Sequence, residues 1–511
     1  MRRVIEGFWD HPPARVLRWL TLVALAPRLL AAFFSPGYFA HDDHFLVIEA
    51  AGSWCDGSDY NDWLPWNQGD EPTPSGHSFF YVGLHYLLFS ALKAMGLRDP
   101  RVLMFVVRVL HAAWSLVAVR AGYRIAERLA GPRTAWRTGL FLALFCYMPF
   151  LSVRNLVEVA CIPLLMLGCV KLLDADQDRH WRSAVIGGLW VGLAMNVRFQ
   201  TIFFAMGPGL AFLLMLRWKQ ALAYAIGVAL PLLIIQGGID LFLWGRPWAE
   251  VTQYVLYNLD NTTTYGVLPW YNYVLLLIGL LIPPLSIAVL FGFARRPRPL
   301  LLWLPVLLFI AIHSWFPNKQ ERFLLPIVPL FFVLGYVSWE QWRAASAWWR
   351  QREGLWRGAL RFVWCLNLLL LPFLSATYSK RSRVEAMLAL RTERPLGGLI
   401  VEDPEEAPAM PPLFYLGQWD MGVFMLGPDK AEDDFGDLMR KRGVAGREHH
   451  VLFVGEDRLA ERMARMEESY GPVRIIGRAE PGLIDRLVHW LNPVNRNEVI
   501  IFARLSPRAS N

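Results

Sequence analysis

The feature that most constrains this chain is a series of long apolar runs separated by short segments rich in arginine. A helix of about 20 apolar residues is long enough to cross the hydrocarbon core of a bilayer. Hydrophobic residues make up 55% of the 511 residues and charged residues only 18%. This pattern predicts an all-α polytopic membrane protein, excludes a disordered, collagen-like or coiled-coil chain, and argues against a pair of soluble domains.

The formal net charge of +8 has a topological explanation. In a soluble protein such an excess would suggest a nucleic-acid partner, but in a polytopic protein it indicates basic loops on the cytoplasmic face of the bilayer. No nucleic-acid partner is therefore expected. Basic residues precede the first apolar run and no small-residue cleavage site follows it, which predicts a cytoplasmic N-terminus and a retained signal-anchor helix.

The next segment differs sharply in charge. From Leu29 to Leu92 there is no Lys or Arg, and the same stretch carries eight acidic residues. This predicts a first outer loop over residues 35–101. The apolar run 79–96 is assigned to that loop as a juxtamembrane or re-entrant helix, because a crossing there would move the basic segment 120–137 outside. The alternative is that 79–96 spans the membrane.

The remaining apolar runs predict about eleven spans in total. We place them near 17–34, 102–119, 136–152, 157–173, 183–199, 200–217, 222–243, 273–293, 300–316, 323–338 and 360–377. An odd number of spans puts the C-terminal segment outside. The predicted domains are therefore a transmembrane domain, 1–377, and a small extracytoplasmic α/β domain, 378–511.

The α/β prediction comes from short apolar runs that alternate with helix-like stretches. The strand-like runs are 398–401, 451–454, 473–476 and 498–502, and the helix-like stretches are 430–442 and 457–469.

Ionisable groups near membrane depth are costly and are usually functional. The first such group is the run His41, Asp42, Asp43 and His44, close to the outer end of the first span. Two adjacent carboxylates can raise the pKa of one of them, which suits a general base. The alternatives are a solvated loop and a metal site, but consecutive side chains on a helix diverge and so disfavour a metal.

Two further groups lie at the same predicted level. Arg154 and Glu158 are four residues apart, so on one helix they would share a face and pair, either functionally or only to orient a span. Arg198 lies between Asn196 and Gln200 in an apolar stretch, where it either snorkels to the interface or faces an interior cavity.

The loop 248–273 is rich in amide and aromatic side chains, which stack on sugar rings and hydrogen-bond to hydroxyl groups. Plain interfacial loops have a similar composition, so both interpretations stay open. The residues are Gln253, Tyr254, Tyr257, Asn258, Asn261, Tyr265, Trp270, Tyr271 and Asn272.

The segment 313–323 joins two apolar spans at the outer face. It carries Lys319, Glu321 and Arg322, although outer loops usually avoid basic residues. A lipid-linked phosphate would explain the exception, since Arg offers it a bidentate fork. The alternative is a structural network among these three side chains.

Four motifs in this order resemble those of the multispan α-mannosyltransferases of N-glycan and GPI-anchor assembly, which are GT-C glycosyltransferases that use dolichyl-phosphate-mannose. Residues 41–45 resemble the family's HPDE-plus-aromatic motif, and 154–158 its Arg-Thr-Leu region. Residues 258–270 resemble its Asn…Tyr-Gly-x-x-Pro-Trp loop, and 318–326 its His-Lys-Glu-x-Arg-Phe-x-x-Pro motif. The resemblance covers roughly residues 15–340. The family's Pro, Glu and His are replaced by Asp42, His44 and Asn318.

The resemblance implies an inverting transfer of a sugar, mannose, from a polyprenyl-phosphate donor to a lipid-linked glycan, another glycan or a protein. It implies neither a nucleotide nor a metal cofactor. Asp43 is the expected base, with Asp42 second, and the expected phosphate ligands are Lys319, Arg322, Arg198 and Arg154. The expected sugar and acceptor contacts are His44, Glu158, Gln253, Asn258, Tyr265, Trp270, Asn272 and Glu321.

Two other functions remain open. One is a different GT-C enzyme, of the aminoarabinose or protein O-mannosyl type, and the other is a transporter or flippase for a lipid-linked sugar. A transporter should show charges near the midplane and internal repeats, and we find neither pattern in the sequence. The C-terminal α/β segment suggests a bacterial homologue in the inner membrane with a periplasmic site; a eukaryotic protein would lie in the ER membrane.

Overall fold

The computed structural model describes residues 12–264, 266–295, 299–404, 409–427, 448–491 and 496–506. The chain divides into two compact units. The first comprises the described parts of Met1–Phe33, Asp62–Leu84 and Val106–Ala376, and the second those of Phe34–Asn61, His85–Phe105 and Thr377–Asn511. The predicted division into 1–377 and 378–511 stays a prediction, since the second unit also takes in two segments of the predicted first outer loop.

Most of the described chain is helical, in both units. The α-helices up to residue 315 are Pro13–Phe34, Ala50–Cys55, Phe79–Ala94, Pro100–Leu144, Tyr147–Ser152, Val157–Ala160, Ile162–Asp178, Trp181–Val197, Ile202–Leu214, Trp218–Pro231, Gly237–Trp244, Ala249–Asp260, Asn272–Leu280, Leu285–Arg295 and Leu300–Trp315. The later α-helices are Val328–Ala345, Ala347–Gln351, Glu353–Ser375, Arg381–Leu390, Leu413–Leu416, Leu459–Ser469 and Leu483–Leu491. Short 3-10 and π segments adjoin them at Asp43–Glu49, Pro65–Asn67, Phe199–Thr201, Leu232–Gln236, Glu321–Ile327 and Arg391–Glu393.

The mostly helical membrane architecture is confirmed, but the count of about eleven spans is not. Within the described ranges, five helices are long and apolar enough to cross a bilayer: Pro13–Phe34, Pro100–Leu144, Trp218–Trp244, Glu321–Ala345 and Glu353–Ser375. The pair Leu285–Arg295 and Leu300–Trp315, taken as one span, would make six. Several other predicted spans form helices shorter than this, such as the 17-residue Trp181–Val197.

Three predicted spans differ in their boundaries from the observed helices. Runs 102–119 and 136–152 were expected to be separated by a basic loop, but Pro100–Leu144 is helical throughout except at Gly131, where φ is 78°. This left-handed conformation suits glycine, and Pro132 follows it, so the two residues produce a kink. Run 273–293 is broken between Leu280 and Leu285 instead of forming one helix.

Glycines bring two helices of the first unit into backbone contact. On Trp181–Val197, a Cβ atom added to Gly188 would overlap the carbonyl oxygen of Tyr224, and one added to Gly192 would overlap that of Val228. Both carbonyls belong to the helix Trp218–Pro231. Small residues allow this close approach, which supplies packing energy where both helices face an apolar surrounding.

The second unit contains a five-stranded sheet: β1 (Gly398–Glu402), β2 (Gly422–Leu426), β3 (His449–Val454), β4 (Val473–Ala479) and β5 (Ile500–Leu505). The order is β2-β1-β3-β5-β4, with β1 parallel to β2 and β3, and β5 antiparallel to β3 and β4. Ile400, Val451, Phe453, Met466 and Ile501 form part of its core.

The predicted small α/β segment is therefore confirmed. The four predicted strand runs correspond to β1, β3, β4 and β5, and the predicted helix 457–469 is observed as Leu459–Ser469. The sequence analysis missed β2, and the predicted helix 430–442 lies outside the described residues.

Candidate functional site

The acidic motif lies in the second unit, at the start of the wide π-helical segment Asp43–Glu49. Asp43 is buried, at 3% exposure, whereas Asp42 is half-buried. One side-chain and one backbone contact fix the chain just before the motif: Ser35 Oγ donates to Thr377 O at 2.7 Å, and Gly37 forms a β-bridge with Ser379. The proposed base therefore lies on a segment anchored to the C-terminal part of the chain.

His44 is enclosed by aromatic rings. Its imidazole stacks on Tyr38 with ring centroids 4.3 Å apart and on Tyr415 at 5.7 Å. It is 1% exposed. His44 therefore packs between two aromatic rings. Its contact with the sugar or the acceptor stays a prediction.

Glu49 is the partner of His44 that the sequence analysis did not single out. Its Oε1 lies 3.2 Å from His44 Nε2 and accepts the Phe414 N–H at 3.0 Å. Burial raises the pKa of the Glu49 carboxyl well above its usual range and lowers the pKa of His44 to about 3. Both shifts favour the neutral forms, so the pair can fill the interior without a buried charge.

In the first unit, Glu158 lies between two guanidinium groups. Its Oε1 is 3.0 Å from Arg198 Nη2 and 3.8 Å from Arg322 Nε. Glu158 is fully buried, and the side chains of Arg198 and Arg322 are 15% and 10% exposed. Three residues from three separate predicted site segments are thus brought together. Hereafter we call these three side chains the Glu158 cluster.

The prediction that Arg154 and Glu158 share a helix face is wrong. The helix Tyr147–Ser152 ends before Arg154, and the next helix, Val157–Ala160, begins after Leu156 in an extended conformation. The four-residue spacing predicts a shared face only within a continuous helix. The break instead directs Glu158 toward Arg198 and Arg322, while the Arg154 guanidinium lies 4.4 Å from the centre of the Phe150 ring.

Neighbouring amides and rings orient the two arginines. Arg198 Nε donates to Gln200 Oε1 at 3.2 Å, and Arg322 Nε donates to Gln320 Oε1 at 2.8 Å. Both guanidinium carbons lie over the Phe323 ring, at 5.5 and 5.8 Å from its centre. Gln320 and Phe323 were not predicted as candidate site residues, although both lie in the motif 318–326.

Tyr254 extends this network from another loop. Its hydroxyl hydrogen-bonds to Gln200, and burial raises its pKa although the nearby Arg198 cation opposes the shift. The loop 248–273, for which sugar contact is one of two interpretations, is therefore linked to Arg198 of the Glu158 cluster through Tyr254 and Gln200.

Lys319 lies beside the same loop. Its Nζ donates to Phe316 O, its backbone N–H donates to Gly266 O at 3.2 Å, and Asn318 forms a β-bridge with Val267. The Lys319 side chain is largely buried, and burial lowers its pKa. The structure thus joins the two loops that the sequence indicated separately.

The other predicted contacts are less enclosed. Gln253 and Asn258 lie on the helix Ala249–Asp260, where the Asn258 amide donates to Tyr254 O at 2.8 Å. Trp270 is 69% exposed, Glu321 is exposed, and Asn272 starts a helix. Tyr265 lies outside the described residues.

Glu250 is a buried carboxylate that the sequence analysis missed. Its Oε2 accepts the Gly76 N–H at 2.5 Å, the His77 N–H at 3.1 Å and the Ser75 hydroxyl at 3.1 Å. Burial raises its pKa to about 7 despite these hydrogen bonds. It connects the loop at residues 75–77 to the start of the helix Ala249–Asp260, and no spacing pattern in the sequence indicated the contact.

A comparison against protein families covers the segments that carry these motifs. The model of the Alg9-like mannosyltransferase family matches residues 19–395. The chain belongs to this family. The match covers well over half of the chain and includes all of the predicted site segments, so the resemblance seen in the sequence is confirmed.

Curated relatives of this Alg9-like chain are similar at low identity. Mannosyltransferase APTG1 of Arabidopsis thaliana is 23% identical over 350 residues, 65% of this chain and 60% of the relative. GPI mannosyltransferase 4 of Eremothecium gossypii is 27% identical over 341 residues, 62% of this chain and 64% of the relative. The matched part thus spans less than two thirds of either relative.

A solved structure shares the fold of the Alg9-like chain. ArnT from Cupriavidus metallidurans, in its structure bound to undecaprenyl phosphate, matches with a TM-score of 0.56 over 95% of this chain and 97% of ArnT. The sequences are 13% identical. At that identity the match shows a common GT-C-type fold.

Proposed function

We propose that the protein is an integral-membrane inverting glycosyltransferase that transfers mannose from a polyprenyl-phosphate donor to an acceptor outside the cytoplasm. The acceptor class is a lipid-linked glycan, another glycan or a protein. The family membership and the four motifs support the reaction class.

The observation that carries the proposal is the Glu158 cluster. It brings the guanidiniums of Arg198 and Arg322 to the single buried carboxylate of Glu158. A sugar transfer from a lipid phosphate increases the negative charge on the leaving phosphate. Fixed cations with little exposure to water stabilise such a charge more effectively than flexible surface cations. In this proposal Arg198 and Arg322 bind the phosphate, with Lys319 and Arg154 as further cations.

The proposed general base is Asp43, with Asp42 as the second candidate. Inversion requires a base that removes the acceptor's hydroxyl proton on the sugar face opposite the leaving phosphate. Burial of Asp43 keeps competing water away from the carboxylate and suits this role. His44, Glu158, Gln253, Asn258, Tyr265, Trp270, Asn272 and Glu321 are proposed to position the sugar or the acceptor.

The finer topology is also part of the proposal. About eleven spans would place residues 378–511 on the same outer side as the first loop. For a bacterial protein the site would then be periplasmic in the inner membrane; for a eukaryotic one it would face the ER lumen. Reaction of an impermeant thiol reagent with a cysteine introduced near Asn511, in intact cells, tests this orientation.

The test of the activity uses purified protein in liposomes with radiolabelled polyprenyl-phosphate-mannose and a panel of acceptors. Arg322→Gln should reduce mannose transfer about 10²- to 10³-fold, since it removes one fixed cation. The matched control is Arg128→Gln, which removes an arginine from the ion pair with Asp174 elsewhere in the first unit. This control should retain transfer within about twofold.

If Arg322→Gln transferred mannose at the full rate, Arg322 would not be a phosphate ligand. Movement of intact lipid-linked mannose between leaflets without any transfer would instead identify a flippase. Transfer of aminoarabinose, or of mannose to protein alone, would select the other GT-C activities.

A further inference from the structure

The second unit contains a cavity that the proposed transfer reaction does not use. Its volume is about 760 Å³, within the range of about 300–1,000 Å³ typical of small-molecule sites. Its charged and aromatic lining includes Lys93, Arg98, Arg391, Arg394, Trp419 and Asp420. We propose that this cavity binds a phosphate-bearing saccharide.

The lining carries an excess of positive charge. Lys93 Nζ lies 2.7 Å from Asp56 Oδ1, and Asp56 Oδ2 also accepts the Trp419 indole N–H at 2.9 Å. The charges of Lys93 and Asp56 therefore neutralise each other. Three guanidiniums remain at the cavity against the single carboxylate of Asp420.

Backbone contacts hold two of these guanidiniums in place. Arg394 Nη1 donates to Gly417 O at 2.6 Å and its Nε donates to Arg391 O at 3.2 Å. Arg391 Nη2 donates to Arg98 O at 3.3 Å. Side chains that are already ordered lose less entropy when they bind an anion, and their planar forks match the oxygens of a phosphate.

Arg391 has an unused donor. Its Nη1 is enclosed by protein and has no hydrogen-bond partner among the residues that the structure describes. Burial and the neighbouring Arg394 cation lower the Arg391 pKa, although the nearby Asp99 carboxylate opposes the shift. A bound phosphate would satisfy the donor and relieve the repulsion between the two arginines.

The aromatic part of the lining indicates a sugar as well as an anion. The Trp419 ring lies next to Tyr60, with centroids 5.7 Å apart, and its indole N–H is fixed by Asp56. An ordered indole offers a flat apolar face on which a sugar ring can stack. The cavity is also much larger than a phosphate ion needs, so the ligand class is a phosphorylated sugar.

The test measures binding to the full-length protein in nanodiscs by calorimetry. The probes are mannose 6-phosphate, unphosphorylated mannose, inorganic phosphate and a short-chain prenyl-pyrophosphoryl disaccharide. We expect the phosphorylated sugars to bind, with an affinity that falls as salt rises, and mannose alone to bind at least about tenfold more weakly. Equal binding of mannose and mannose 6-phosphate would overturn the proposal.

Variants locate the site. Arg391→Gln should weaken phosphosugar binding about 10- to 100-fold, and Arg98→Gln, whose side chain is exposed and should not affect folding, should weaken it less. Trp419→Leu should reduce the preference for a phosphosugar over inorganic phosphate. The control is Arg486→Gln, which removes an exposed arginine paired with Glu480 elsewhere in this unit. Unchanged binding in both Arg391→Gln and Arg98→Gln would exclude the cavity.

The probes also distinguish two sources of the same headgroup. Comparable binding of the free phosphosugar would indicate a soluble ligand, whereas binding of the prenyl-linked probe alone would indicate a lipid-linked one. Neither result requires mannosyl transfer, so the cavity proposal and the proposed function can fail independently.

Discussion

The backbone N–H of Gly76 donates to Oε2 of Glu250 at 2.5 Å, which fastens one loop of the first unit to the start of the helix Ala249–Asp260. The buried carboxyl has a pKa of about 7 in the folded protein, against 4.5 for an unperturbed glutamate. The folded state therefore binds this proton more tightly than the unfolded state. Its stabilising effect is complete below about pH 4.5 and is lost as the pH rises through about 7.

The first prediction concerns this pH dependence. Replacement of Glu250 by Gln keeps an oxygen acceptor for Gly76 and removes the ionisation. The wild-type free energy of unfolding should fall by up to about 3 kcal/mol more than that of Glu250→Gln between pH 4.5 and 8. Unfolding in detergent, followed over this pH range, checks the difference. Parallel pH profiles would show that Glu250 does not ionise as the structure indicates.

The second prediction concerns Asp43. Asp43→Asn preserves size and polarity but cannot accept the acceptor's proton, so mannose transfer should fall about 10²- to 10⁴-fold. Asp70→Asn, which changes an exposed acid of the same predicted outer loop, is the matched control and should transfer normally. Transfer rates in liposomes, with thermal melting to verify folding, decide the matter. Full activity of Asp43→Asn would eliminate it as the base.

The third prediction concerns the buried Arg462 of the second unit. Its Nε donates to Glu402 Oε2 at 2.7 Å, and its Nη2 donates to Val454 O at 2.9 Å. Arg462→Ala leaves the Glu402 charge without its buried partner and should destabilise this unit by about 3–5 kcal/mol. Arg465→Ala, an exposed arginine on the same helix, should change stability by less than about 0.5 kcal/mol. Chemical unfolding of both variants provides the comparison, and equal stabilities would contradict this role.

The fourth prediction concerns the glycine contact between helices. Gly192→Ala places a methyl group against Val228 O and should lower the melting temperature, because two backbones must separate. Gly238→Ala is the matched control, since a methyl group there meets open space. That control should be neutral or stabilising by up to about 1 kcal/mol, as alanine favours helix over glycine. If Gly192→Ala were as stable as the control, the two helices could move apart without loss of stability.

Composition and periodicity predicted the helical membrane fold and four of the five strands. They missed β2 because Gly422–Leu426 is only five residues long, begins with Gly and shows no alternation of apolar and polar residues. The count of about eleven spans is not confirmed by the helix lengths, for a different reason. Hydropathy identifies apolar length, but the breaks at Gly131 and between Leu280 and Leu285 are conformational and do not interrupt the apolar character.

Two of the arginines that the motifs indicated as candidate phosphate ligands, Arg198 and Arg322, both flank Glu158. Sequence spacing assigned the wrong partner to Glu158, because it assumed a continuous helix through residue 154. Glu49 and Glu250 were missed altogether. Their partners, Phe414 and Gly76, lie 365 and 174 residues away along the chain, and contacts at such separations leave no local pattern.

The glycine contact has a consequence for motion. Helices that touch through side chains can slide by changes of rotamer, but Trp181–Val197 and Trp218–Pro231 touch through main-chain atoms at Gly188 and Gly192. Nothing between them can rotate out of the way. If the protein opens and closes during a working cycle, these two helices must travel as a single rigid body. The displacement must then be taken up in the connections at their ends, including the short turn at Arg198 that carries a guanidinium of the Glu158 cluster.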